Sequence, residues 1–234
     1  MEIIIPYKKD DEESLKYTLR GIRTNMGKND VIISGDMPKT LSGFTYVCPD
    51  KPKNIDAQYD CQLNILEAVK TLKNNEDFIL FNDDFYVLKP VEKLENWHEN
   101  SIDEVIKSKK NSRIFVKTIK SLRNTKNLLI KLGIEDPVAY TLHYPVVMNK
   151  EKWLECHEIC VPYLKNRNIV LPRTVYGNLF SDCSSIHHDF KCYNDIKQVD
   201  EVFASSWKQV PEFVKQILDK PSEFEGSNNE TTKK

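Results

Sequence analysis

Phe78-Ile79-Leu80-Phe81-Asn82-Asp83-Asp84-Phe85-Tyr86-Val87-Leu88-Lys89-Pro90 is the stretch that decides how this chain is read. Its four apolar residues, Phe78–Phe81, predict a strand buried on both faces. Two adjacent carboxylates follow at the strand's C-terminal end. Burying such a pair is costly unless positive charge sits against it. The C-terminal ends of parallel strands are also where open α/β sheets bind their ligands. Carboxylate oxygens suit hard cations such as Mg²⁺ or Mn²⁺, which in turn bridge to phosphates. Asp83 and Asp84 are therefore the candidate metal ligands, with Asn82 as a neighbouring ligand-binding residue. Asn-Asp-Asp also fits a capping turn. Against that, apolar residues continue at Phe85, Val87 and Leu88, and no helical pattern follows.

Outward from this stretch, the N-terminal side alternates between strand and helix signals. Met1–Tyr7 and Asp30–Ser34 read as short buried strands, and Phe44–Cys48 as a third short strand. Asp11–Arg23 carries Leu15, Leu19 and Ile22 at helical spacing, with Asp11 or Ser14 as cap. Asp56–Lys73 is the clearest helix. This order predicts an α/β fold, Rossmann-like, with a mostly parallel central sheet. The C-terminal side is less regular. Segments 113–117 and 140–147 read as extended, 150–164 as helix, 172–196 as a loop-rich wall, 201–206 as a short strand and 210–218 as a terminal helix. Residues 222–234 are polar and read as a flexible tail. The expected organisation is one domain over 1–221, with 1–90 as a donor half and 91–221 as an acceptor half.

The 234 residues are 40% hydrophobic and 29% charged, an ordinary globular balance. A net charge of −1, from 34 basic and 35 acidic residues, argues against a surface built throughout to grip nucleic acid. A local exception is 105–131, rich in Lys and Arg. It reads as a solvated face or as a docking surface for an anionic acceptor or donor phosphate. The six cysteines form no CxxC pair, and Cys156-x3-Cys160 lacks a second tight pair for zinc. With no signal-peptide pattern and no apolar run long enough to span a bilayer, the expected setting is cytoplasmic, with reduced thiols. Phosphate-binding P-loop, GxGxxG, HExxH and GxSxG signatures are missing, which disfavours ordinary kinases, dehydrogenases, zincins and α/β-hydrolases.

Four segments together resemble a known group. They are Ser14–Ile22; Val31–Ser34 with Gly35-Asp36-Met37-Pro38; Phe81–Phe85 with Lys89-Pro90-Val91; and Leu142-His143-Tyr144-Pro145. In this order they are similar to GT-A-type glycosyltransferases, and within that group to the Stealth family of sugar-phosphate transferases. The resemblance covers about residues 12–150. It implies a metal-dependent enzyme using Mn²⁺ or Mg²⁺ and a nucleotide-sugar donor. The implied acceptor is a hydroxyl on a glycan or on a modified base of DNA. Where the Stealth family carries a Trp-Val-Asp-Gly element, this chain has Ile5-Pro6-Tyr7-Lys8. Plain glycosyl transfer is therefore expected first, and sugar-1-phosphate transfer is the alternative. A late histidine completes the metal sphere in such enzymes, which points to His187 or His188, and imidazole suits Mn²⁺.

The remaining candidates follow from residue chemistry. Asp136 or His143 is placed to take a proton from an acceptor hydroxyl. Arg20 and Arg23, one helical turn apart, present guanidinium forks suited to a diphosphate. Asp36 and Asp60 are candidates for hydrogen bonds to a base or ribose. A second class of function keeps the scaffold without catalysis, as a module binding glycan or nucleic acid through the basic stretch.

Overall fold

The structure is a computed structural model. It describes the chain except for residues 10, 53–54, 74–76, 111–114, 166–168, 183–184, 192–200, 207–208 and 226–234. Five strands, β1 (Glu2–Tyr7), β2 (Asp30–Gly35), β3 (Thr45–Val47), β4 (Asp77–Leu80) and β6 (Val146–Asn149), form one sheet in the order β3-β2-β1-β4-β6. β1 to β4 run parallel and β6 closes the edge antiparallel. The expected α/β fold with a mostly parallel sheet is what the chain adopts. Ile3, Ile4 and Ile5 are fully buried at the centre, which is why an unbroken apolar run marks this strand.

Strand order reverses between β1 and β4. The first crossover carries α1 (Glu12–Asn25) and the crossover into β4 carries α2 (Ala57–Thr71). Asp11 caps α1 by accepting from Ser14 N at 3.0 Å, so Asp11, not Ser14, is the cap. α1 buries Leu15, Leu19 and Ile22 in the main core. Its Gly21 lies so close to the next strand, β5 (Phe85–Val87), that a Cβ there would stand 2.9 Å from the Val87 backbone. β5 pairs antiparallel with β7 (Phe203–Ser205) in a separate ribbon. Between that ribbon, α1 and α7 (Glu212–Ile217) lies a second apolar cluster containing Tyr17, Tyr86 and Val214.

The second half departs from several expectations. α4 (Val116–Lys131) is a helix, so the extended reading fails from residue 116 onward. Its buried Ile119, Leu122 and Leu129 recur at helical spacing beneath the basic face. Only Val146 and Val147 of the segment 140–147 join a strand. The predicted loop-rich wall contains α6 (Pro172–Phe180), which begins with proline, a residue at home in a first helical turn. α3 (Ile102–Lys109) and α5 (Lys150–Lys165) complete the chain.

The polar tail is not free at its start. Phe224 is 1% exposed in the core. Arg20 is held by Glu225 through two bonds of 2.7 and 2.6 Å and also donates to the Leu218 carbonyl. No helix among the described residues is long and apolar enough to cross a membrane.

Candidate functional site

β1 and β4 are neighbours, and the chain leaves them in opposite directions, which opens a crevice at their C-terminal ends. Phe81 N donates to Ile4 O at 2.9 Å, continuing the ladder for one residue beyond β4. The chain then turns, and Asp83 and Asp84 fall at the mouth of the crevice. Thr18 of α1 donates to the Asp83 carbonyl at 2.8 Å and fixes the turn. Asp36, following β2, accepts from Lys9 N at 3.0 Å on the same edge. Asp11 adds another acid nearby.

This edge is short of positive charge on one side and supplied with it on the other. Burial, reinforced by Asp84 and Asp11, pushes the Asp83 carboxyl up to about 7. Burial also raises Asp84, but Lys191, His143 and Ser205 oppose it. Lys191 Nζ lies 3.8 Å from Asp84 Oδ2 on a side chain only 2% exposed, and Ser205 Oγ donates to the same oxygen at 3.2 Å. Tyr7 has a buried hydroxyl beside these acids with no hydrogen-bond partner among the described residues, and burial raises its proton affinity.

His143 links the acidic pair to a cavity of about 280 Å³. Its backbone N–H donates to Asp189 Oδ1 at 2.8 Å, and its Nδ1 lies 2.9 Å from both Asp189 oxygens. Burial alone would raise Asp189, but the His143 hydrogen bonds and charge outweigh it and hold the carboxyl low. Gln58 and Gln62 of α2, Tyr140, Thr141 and Arg173 of α6 form other walls. Lys109, Phe115 and Thr118 bring the basic stretch to the same cavity. A larger cavity of about 440 Å³ opens at the opposite edge of the sheet, beside Glu2 and Asp30. It lies at the strands' N-terminal ends, away from the acids and His143.

Asp83, Asp84, Asp36 and His143 are thus gathered at one end of the sheet. The other candidates are placed elsewhere. Arg20 is spent on Glu225, and Arg23 pairs with Glu223 and lies over the Phe224 ring. Both arginines hold the C-terminal segment, a correction to the expectation that they grip a diphosphate. Asp60 is paired with Lys51 at 2.6 Å. Asn82 is exposed on the turn, and Asp136 is exposed before Pro137, outside the cavity wall.

His187 stacks on Trp97, with ring centroids 4.4 Å apart, and His188 bonds Glu201 at 3.0 Å. Among the described residues no group of three or more His, Cys, Asp or Glu side chains is arranged to hold a metal. His187 and His188, the expected late metal ligands, are thus engaged by stacking and by Glu201 and form no such group with Asp83 and Asp84 among the described residues. Cys48, Cys61, Cys156 and Cys160 are free thiols, of which Cys156 and Cys160 are buried and Cys48 is exposed; Cys183 and Cys192 lie outside the described residues.

Asp189, Lys191, Ser205 and Arg173 were not legible as site residues. Each reaches the site from a distant segment, and no local pattern marks it. The nearest signal was the cluster of polar residues over 172–196.

The fold and site define an α/β protein with an acidic pair at its topological switch point and a histidine–aspartate pair beside it. No family model and no curated protein matches the sequence. Among solved structures, the chain is similar to the galactosyltransferase LgtC in complex with donor and acceptor sugar analogs. That likeness has 13% identity and a TM-score of 0.44, over 77% of this chain and 70% of that one. An active-site mutant of LgtC gives 12% identity and a TM-score of 0.46, over 78% and 71% of the two chains.

Proposed function

We propose that this protein is a glycosyltransferase moving a sugar from a nucleotide-sugar donor to a hydroxyl acceptor. The observation that carries this reading is the placement of Asp83 and Asp84 at the switch-point crevice, with His143 held by Asp189 at an adjoining cavity. Two carboxylates fit Mg²⁺ or Mn²⁺, which commonly takes one or two protein carboxylates and completes its sphere with water and phosphate. When bound there, the ion supplies Lewis-acid neutralisation of a diphosphate. Its protein ligands would be Asp83 and Asp84, without His187 or His188.

The chain's own residues do the rest. With Nδ1 turned to Asp189, the Nε2 of His143 is the ring atom that accepts the acceptor's hydroxyl proton. Asp189 fixes the orientation of the ring. The acceptor oxygen forms its bond to the anomeric carbon as the bond to the donor phosphate breaks. Lys191 limits the negative charge that Asp84 adds to the crevice.

The test is a hydrolysis and thermal-shift screen of UDP-, GDP- and ADP-sugars with Mn²⁺. Slow release of nucleoside diphosphate and a melting shift lost in Asp84→Ala support the reading. Failure of every donor on both measures would sink it. The Stealth resemblance favours a second reading, sugar-1-phosphate transfer, which breaks the diphosphate bond instead. Release of nucleoside monophosphate in the same screen would select it.

A further inference from the structure

Among the described residues around the cavity at His143, Arg173 is the charged side chain without a close ion pair. Lys109 Nζ is fixed between both oxygens of Glu99 at 2.9 and 3.0 Å. Asp189 is taken by His143. Among the described residues Arg173 has no ion-pair partner, and its Nε and Nη2 atoms are buried without a hydrogen-bond partner; a Tyr144 hydrogen bond and the more distant charge of Asp189 offset its burial only in part. Its guanidinium lies 4.7 Å from the centre of the Tyr144 ring, a contact that orients it but does not neutralise it. Burial lowers its proton affinity. Gln62 adds a buried Oε1 with no partner in the same wall. An uncompensated cation is costly to keep inside a protein unless it serves a ligand.

We propose that this cavity is an acceptor subsite for an anionic sugar, one bearing a carboxylate or a phosphate that Arg173 receives. The acceptor role rests on the glycosyltransferase reading; the anion site does not. Guanidinium presents a planar fork that matches either oxyanion. At about 280 Å³ the cavity is near the lower limit for small-molecule pockets, which suits a single ring. A duplex would instead call for several exposed cations along a track of phosphates. The wall contributed by Lys109, Phe115 and Thr118 also gives the basic stretch a place in the function.

The test uses the whole chain at low salt, without phosphate, nucleotide or added metal. Binding of methyl glucuronide, glucose 6-phosphate, methyl glucoside and a short DNA duplex is measured by calorimetry. The expected result is at least about tenfold tighter binding of an anionic sugar than of the glucoside. The two anionic sugars distinguish carboxylate from phosphate. Arg173→Gln should remove the preference while leaving the ligand-free melting temperature unchanged or higher, because an unpaired buried charge is lost. An arginine serving only structure would lower it. Thr118→Glu, which puts negative charge on the cavity wall, should weaken the same binding without touching Arg173.

Equal binding of anionic and neutral sugars overturns the proposal, as does a preference that survives both substitutions. Arg173-dependent binding of the duplex alone overturns it in favour of nucleic acid. Anionic-sugar binding without hydrolysis of any donor would keep the anion site and remove its acceptor role. Donor hydrolysis without anion preference would remove the anion site alone.

Discussion

Asp83 gives the protein a pH dependence that a single substitution can isolate. Its carboxyl sits near 7 in the fold against 3.8 in the free side chain, because burial and neighbouring acids disfavour the charge. A folded value raised in this way stabilises below the unfolded value, and the contribution disappears as pH rises through the folded one. The contribution of Asp83 should therefore be lost between about pH 4 and pH 7. Asp83→Asn should be nearly neutral at pH 4 and stabilising by roughly 2–4 kcal/mol at pH 8. Thermal melts across that range check this, and a flat difference between the two proteins would contradict it. Mn²⁺ at pH 8 should flatten the wild-type curve and do little for the variant. Beside this pair, Asp189→Asn should leave His143 unsupported as a base. Turnover should fall roughly 10²–10⁴-fold with a modest change in KM, measured by steady-state assay.

At the scale of elements, β2 ends in a glycine that tolerates nothing larger. Gly35 has φ 122°, and a Cβ there would meet Tyr7 O at 2.4 Å and Asn64 Nδ2 at 2.7 Å. Gly35→Ala should cost more than about 2 kcal/mol in urea denaturation. Much of the first ninety residues was legible because β1, β2 and β4 carry unbroken apolar runs and α1 a clean periodic face, whereas α2 buries Gln62 and Asn64 in place of the expected Leu63 and Leu66. Ile3-Ile4-Ile5 and Leu15, Leu19, Ile22 leave little choice. α4 was harder to see because its lysines dominate the composition, although Ile119, Leu122 and Leu129 keep the helical period. α6 was hidden among polar neighbours despite Pro172 at its start. The acidic pair could be read because one strand determines where it lies. Its partners Lys191 and Ser205 depend on the pairing of β5 with β7, which no local pattern announces.

At the scale of the molecule, the last described residues lock onto the first helix. Arg20 is 8% exposed, and its pair with Glu225 is bidentate. Breaking a buried pair from one side typically costs about 3–5 kcal/mol. Glu225→Ala should cost that or somewhat less, since Glu225 is the more exposed partner, and truncation after residue 221 should cost more through loss of Phe224. Denaturant titration checks both. A nucleoside diphosphate with Mn²⁺ at about one hundred times its Kd should restore roughly 2.7 kcal/mol by mass action.

The ribbon of β5 with β7 also joins residues made far apart in time during synthesis. Asp83 and Asp84 are made early, whereas Asp189, Lys191 and Ser205 emerge in the final fifth of the chain. A nascent chain paused before them holds two carboxylates with no countercharge from that segment and a histidine with no orienting partner. On the proposed reading, the countercharge and the orienting carboxylate reach the site only after β7 has been made.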